Sequence, residues 1–332
     1  MESPDEKFNY GFVEDLDRAI EKGTKNPTCL YPGCSNPPIG SHVIARRTLQ
    51  LIAENSHVLT WLIPTSWEMV HAHQEGIPLE QPGQEPASVG IRNKRKVTIP
   101  LYCKEHDHKI FAPLETQEFA FHPEQVLLLA YRASCTLTFP HASLPEAILE
   151  VARKHHYAHS LDTPERLQKL ERFRAVQCVI DARQRYTAIY QSQDYNQLRW
   201  VTYLVNIPMC IAATYTLVPI VDENGAQAIV NGTLLLTAED VVTFSLLPYP
   251  PANKSLCVIS WLKGSQRAEQ FMALSRIPEL SPNEQPDTFL FYAFESPTLY
   301  IAPVWWRALS EERREEYRQI HLKTGRDHAE LV

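Results

Sequence analysis

Two short motifs constrain this chain more than anything else in it. Cys29-Leu-Tyr-Pro-Gly-Cys34 sets two thiols at the ends of a tight segment, and Cys103-Lys-Glu-His106 adds a thiol and an imidazole much later. Three thiolates and one imidazole suit a tetrahedral, structural Zn2+. Pro32-Gly33 supplies the turn that lets both thiolates of the first motif face one ion. The expected metal ligands are therefore Cys29, Cys34, Cys103 and His106, in a module over residues 26–112.

The other four cysteines, Cys135, Cys178, Cys210 and Cys257, are scattered singly in apolar company and read as buried small hydrophobes. An odd total of 7 in 332 residues does not make a disulfide scaffold, so a reducing, cytoplasmic setting is expected. The start, Met1-Glu2-Ser3-Pro4-Asp5, is acidic and polar, unlike a secretory signal. With no long apolar run, no membrane partner is expected. A net charge of −7 argues against a general nucleic-acid coat but leaves room for a local basic patch. Neither a Walker-type loop, a Gly-x-Ser-x-Gly elbow nor a dinucleotide fingerprint occurs, so kinase, serine-hydrolase and Rossmann readings lack their residues.

The hydrophobic pattern predicts an α+β protein in three regions: residues 1–112, 113–196 and 197–332. In the first, residues 11–22 read as a short amphipathic helix stopped by Gly23. Arg47 to Trp61 looks helical, Glu75 to Gly90 reads as an exposed loop, and Val97 to Tyr102 is a strand that delivers Cys103 to a helix start. The second region is a helical layer, with helices over His122 to Ser134 and Leu144 to His156. A third opens at Thr163-Pro164, a cap followed by proline at the first helical position. The third region changes period to two. Strands are expected at Trp200 to Val205, Ile211 to Val221, Val241 to Leu247 and Leu256 to Trp261, with an Asn231-Gly232 hairpin among them. Flanking helices are expected near Ser265 to Leu274, Asp287 to Phe294 and Ser310 to His321.

Ser41-His42-Val43-Ile44, lying between the cysteine knuckle and the Cys-x2-His-Asp helix start, resembles the HNH, or ββα-metal, nucleases with a zinc-stabilised, treble-clef finger. The resemblance covers about a quarter of the chain. It implies that His42 is a general base activating water for attack on a phosphodiester. It also implies that Asp107 and His108 hold a catalytic Mg2+ or Mn2+. Three departures accompany it. Ser41 stands where a ligating Asp or His is usual, no asparagine precedes Cys103 in Val97 to Tyr102, and Asp107 replaces the usual helix histidine. A wider pattern, including Leu51-Ile-Ala-Glu-Asn-Ser-His57-Val58 and Phe121 to Arg132, resembles a group of bacterial proteins without assigned activity and implies no function.

Residues outside that frame carry weaker signals. Arg46, Arg47, Arg92, Lys94, Arg95 and Lys96 form a basic set that can grip phosphates by counterion release, or serve as a solvated face. His42 itself reads equally as a fourth zinc ligand or a satisfied core histidine. His57, His71 and His73 read as polar surface or interior. His155, His156 and His159 have helical metal-pair spacing without a third ligand, and Trp305-Trp306 reads as a packing anchor. Two functions follow as expectations. One is a metal-dependent HNH-like endonuclease acting on nucleic acid, with a place in bacterial anti-phage defence. The other is a non-catalytic, zinc-stabilised binding or sensor protein. In either, the C-terminal region is a candidate surface for a homo-oligomer or a partner protein.

Overall fold

In the computed structural model, which describes residues 28–61, 85–93, 97–138, 164–217, 240–274, 285–296 and 298–329, the elements follow the chain in this order. First come β1 (Gly40–His42), α1 (Arg46–Ile52), β2 (His57–Thr60), β3 (Ala87–Gly90) and β4 (Thr98–Pro100). Three helices follow, α2 (Lys104–Thr116), α3 (Pro123–Thr138) and α4 (Pro164–Ser192). Then come β5 (Leu198–Val205), β6 (Ile211–Leu217), β7 (Val242–Tyr249) and β8 (Lys254–Leu262). The last group is α5 (Gln266–Leu274), α6 (Gln285–Phe294), β9 (Leu299–Ile301), α7 (Pro303–Ala308) and α8 (Glu311–Ala329). No helix among the described residues is long and apolar enough to cross a membrane.

The mixed α+β class follows from how the period-two segments pair. Seven strands form one sheet in the order β3-β2-β9-β6-β7-β8-β5, and every pairing is antiparallel. Strand β8 is nearly continuous in apolar residues, as a strand covered on both faces should be. Its alternate side chains sort into two cores. Cys257, Ile259 and Trp261 join Leu49, Ile52, Phe289 and Phe294 on one face. Leu256, Val258 and Leu262 join Phe111, Leu127, Tyr131 and Tyr186 on the other. Each such aliphatic or aromatic side chain contributes roughly 1.5–3 kcal/mol relative to exposure. Helices α2, α3 and α4 thus cover one face, while α1 and α6 cover the other.

The sheet also ties the first third of the chain to the last. Strand β2 pairs with β3 on one side and meets β9 on the other at Leu59–Ile301. A separate two-stranded sheet joins β1 to β4 in the register Gly40–Pro100, Ser41–Ile99 and His42–Thr98. Immediately after β4 the chain enters α2. Pro113 lies inside that helix and has no N–H to offer Lys109 four residues earlier. The Tyr190 hydroxyl approaches that freed carbonyl at 3.5 Å.

Two local expectations are corrected. Arg47 to Trp61 is not one helix: α1 stops at Ile52, and the chain reverses into β2. Asn55 and Ser56 take φ of 49° and 62°, a pair of left-handed residues that turns the backbone, while Glu54 and His57 exchange N–H···O bonds of 2.9 and 2.8 Å. The end of the supposed loop at Glu75 to Gly90 is strand β3, because Val89 points into the interior and the segment pairs with β2 throughout. The expected helices at 11–22 and 144–156, the Asn231-Gly232 hairpin, and His71, His73, His155, His156 and His159 lie outside the described residues.

Candidate metal centre

Local chemistry builds the knuckle. In Tyr31-Pro32-Gly33-Cys34, proline takes the second position and Gly33 has φ of 76°, while Cys34 N–H donates to the Tyr31 carbonyl at 3.1 Å. That is the arrangement of a type II turn, whose third position favours glycine. The knuckle is sewn to the strand ahead of Cys103 by Leu30 N–H to Leu101 O at 2.9 Å and Ile39 N–H to Tyr102 O at 2.7 Å. Cys103 then caps the N-terminus of α2, and His106 sits in the helix's first turn.

These elements bring Cys29, Cys34, Cys103 and His106 together, with all four ligand atoms within 4.8 Å of one another. Cys29 Sγ and Cys103 Sγ lie 3.4 and 3.3 Å from His106 Nδ1, and Cys34 Sγ lies 3.9 Å from Cys103 Sγ. A tetrahedral zinc with Zn–S of about 2.3 Å and Zn–N of about 2.05 Å separates its ligands by about 3.8 Å (S···S) and about 3.6 Å (S···N). The three distances above match those spacings to within a few tenths of an ångström, so the cluster could bind zinc.

The surroundings hold the ligands in place. Tyr31 stacks on the His106 ring at 4.0 Å with an 18° tilt, and Gln191 Nε2 donates to the Tyr31 hydroxyl at 3.1 Å. Burial pushes the Cys29 thiol up to about 11, whereas the His106 backbone N–H at the helix start holds Cys103 below its ordinary 9.0. The remaining cysteines, Cys135, Cys178, Cys210 and Cys257, are buried. Burial raises their thiols, as expected of packing residues; Cys135, for example, reaches about 11.

His42 is the last residue of β1 and is half-buried. Its Nε2 lies 3.2 Å from the Ile91 carbonyl oxygen. A carbonyl only accepts, so Nε2 is the donor in this contact, and in the neutral tautomer that makes it, the lone pair lies on Nδ1. In α2, Asp107 donates its backbone N–H to the Cys103 carbonyl at 2.9 Å, and its Oδ1 is buried without a hydrogen-bond partner. Beside it, His108 is exposed. Among the described residues, no second group of three or more His, Cys, Asp or Glu side chains converges on one point, so His42, Asp107 and His108 do not form such a cluster.

The basic residues are only partly gathered. Arg46 is half-buried, donates its backbone N–H to Glu115 Oε2 at 3.1 Å, and keeps a buried Nε without a partner. Arg47 pairs with exposed Glu118 at 3.6 Å, and Arg92 is exposed. Lys94, Arg95 and Lys96 lie outside the described residues. Of the other residues singled out in the sequence, His57 is exposed and bonds the Asn55 carbonyl at 2.8 Å. Trp306 is buried, packing edge-on against Trp61 at 5.5 Å.

Sequence reasoning missed Glu115, which ties α1 and α3 to α2. It takes the Arg46 N–H on one oxygen and Arg132 Nη1 on the other at 2.9 Å. A lone glutamate near the end of a helix gives no signal for that role. No family model, no curated protein and no solved structure matches the chain.

Proposed function

We propose that this chain is a metal-dependent, HNH-like endonuclease that hydrolyses phosphodiester bonds in nucleic acid, built on a zinc-stabilised treble clef. The observation that carries the reading is the Nε2 contact of His42 with the Ile91 carbonyl. With Nε2 the donor, Nδ1 is the nitrogen placed to take a proton from water. The pairing of β1 with β4, and α2 directly after β4, support the frame, with α1, β2 and β3 inserted between the two strands; His42 ends the first of them.

In this reading His42 Nδ1 takes a proton from the attacking water, whose oxygen bonds to phosphorus as the ester P–O bond breaks. Asp107, with its unpartnered buried Oδ1, is the residue suited to hold a Mg2+ or Mn2+, and His108 is the neighbouring candidate. Such an ion supplies charge stabilisation at the phosphate and the leaving oxygen. Arg46, Arg47, Arg92 and the run Lys94 to Lys96 are the phosphate contacts of the proposal. A role in anti-phage defence belongs to the same proposal and rests on the resemblance alone.

A second reading, a non-catalytic zinc-stabilised binding or sensor protein, is favoured by Ser41. Its side chain is buried where a ligating residue is usual, and its hydroxyl has no partner. Nicking of supercoiled plasmid by the full chain with Mg2+ or Mn2+, beside His42→Ala, separates the two. Cleavage by the wild type alone supports the nuclease. Cleavage by both variants removes His42 from the chemistry, and cleavage by neither favours the binding protein.

A further inference from the structure

A cleft of about 870 Å³, counting its open mouth, lies where the segment after His42 meets the ends of α2 and β7. Its apolar wall includes Ile44, Leu51, Leu114, Leu129, Leu247 and Pro250. Three buried polar side chains line it as well: Gln125, Arg132 and Thr214.

Two of these are satisfied by the protein. Gln125 accepts from Ala120 N–H at 2.8 Å and donates to Pro113 O and Glu118 O at 3.3 and 2.8 Å. The Thr214 hydroxyl sits 2.9 Å from that of Ser245. Arg132 differs. Its side chain is only 4% exposed, with its guanidinium 4.1 Å over the Phe111 ring. One terminal nitrogen, Nη1, donates to Glu115, while Nε on the opposite edge is buried without a partner. Glu115 does not serve that edge: its contacts are Arg132 Nη1 and the Arg46 N–H. A planar guanidinium edge left open in a water-poor wall matches a carboxylate, which it can bind in a two-pronged fashion.

We propose that this cleft binds a small monocarboxylic acid with an apolar body, its carboxylate on the Nε edge of Arg132 and its body along the wall of Ile44 and Leu129. A concave, mainly apolar lining with a few buried polar groups is of the kind that holds small organic ligands. The inference does not depend on the nuclease reading, since binding is measured on the full chain without nucleic acid.

The test is calorimetric titration of the full chain with sodium octanoate, beside 1-octanol and octylammonium as matched probes. Octanoate is expected to bind once per chain and at least about tenfold more tightly than the alcohol, the scale of a charge-assisted hydrogen bond. Octylammonium should bind more weakly than either. Arg132→Gln should bring the acid down to the alcohol's affinity. Should that variant fail to fold, Leu51→Trp supplies the second arm, because Leu51 is 42% exposed at the mouth and a larger ring there fills the cleft without entering the core. It should weaken octanoate at least about tenfold. Equal affinity for acid and alcohol, no octanoate binding, or octanoate binding unchanged in Leu51→Trp overturns the proposal.

Discussion

His42 and Ile91 are joined by a 3.2 Å contact between imidazole Nε2 and backbone carbonyl oxygen, linking the last residue of β1 to the turn that follows β3. Ile91 is itself anchored, being buried and donating its N–H to the Ser56 carbonyl at 2.9 Å. The imidazole is therefore held by the large sheet while its strand belongs to the separate β1–β4 sheet. Nitrogen-15 NMR of the histidine rings should show His42 as the Nε2-protonated tautomer at neutral pH. His42→Ala should lose about 100-fold or more in divalent-dependent cleavage yet cost only about 0.5–1.5 kcal/mol in stability. An Nδ1-protonated ring would remove the basis of the catalytic assignment.

Asp107 pairs a cost with a use. A buried carboxylate oxygen without a partner is unfavourable, whereas a negative charge in the first turn of α2 is favoured by about 0.3–1 kcal/mol. The two effects oppose each other, so Asp107→Asn should shift stability by less than about 1 kcal/mol in denaturant melts. The same substitution should abolish Mg2+-dependent nicking. Full activity in that variant would free Asp107 from any part in the reaction.

Gly40 is a tight point of the β1–β4 sheet. A Cβ placed there would sit 2.5 Å from Thr98 Oγ1 and 3.3 Å from Thr98 Cβ, across the β1–β4 pairing. Gly40→Ala should cost about 1–3 kcal/mol as an overpacked contact, and Thr98→Ala should recover most of it in a double-mutant cycle. Simple additivity of the two substitutions would show that the strand pairing is looser than described.

Arg318 fastens the start of α8. Its side chain is only 7% exposed and takes carboxylates from Glu85, Glu311 and Glu315, Glu85 also accepting Trp306 Nε1–H at 2.9 Å. The hydrogen bond from Arg318 holds the Glu311 carboxyl below its ordinary 4.5. A group depressed in the folded state contributes stability above its unfolded value and loses it as pH falls through the folded one. Lowering pH from about 5 to about 3 should therefore loosen α8, seen as a change in tryptophan fluorescence at Trp305 and Trp306. In Arg318→Gln this acid-dependent component should vanish.

The metal cluster was legible in the sequence because its chemistry is local: a proline-glycine turn brings two thiols round, and a helix start presents the third beside an imidazole. The strands of residues 198–262 were legible because alternation and β-branching persist over seven or more residues. Other parts carried no such signal. Strand β9 is three residues long and gains its meaning only from lying between β2 and β6. The reversal at Asn55 and Ser56 interrupts an apolar pattern that by itself continues as a helix. Nothing in the sequence marks Arg132 as buried; Phe111 and Glu115, supplied by α2, make it a buried charge. Long-range pairing of this kind leaves no periodicity to read.

The most direct test of the whole account is the metal content of the full chain, measured by native mass spectrometry on protein purified without added metal. One zinc per chain is expected, absent from Cys103→Ser, which should also lose the ordered β1–β4 pairing. A wild-type chain without zinc, or a Cys103→Ser variant that retains it, would contradict the centre on which both functional readings rest.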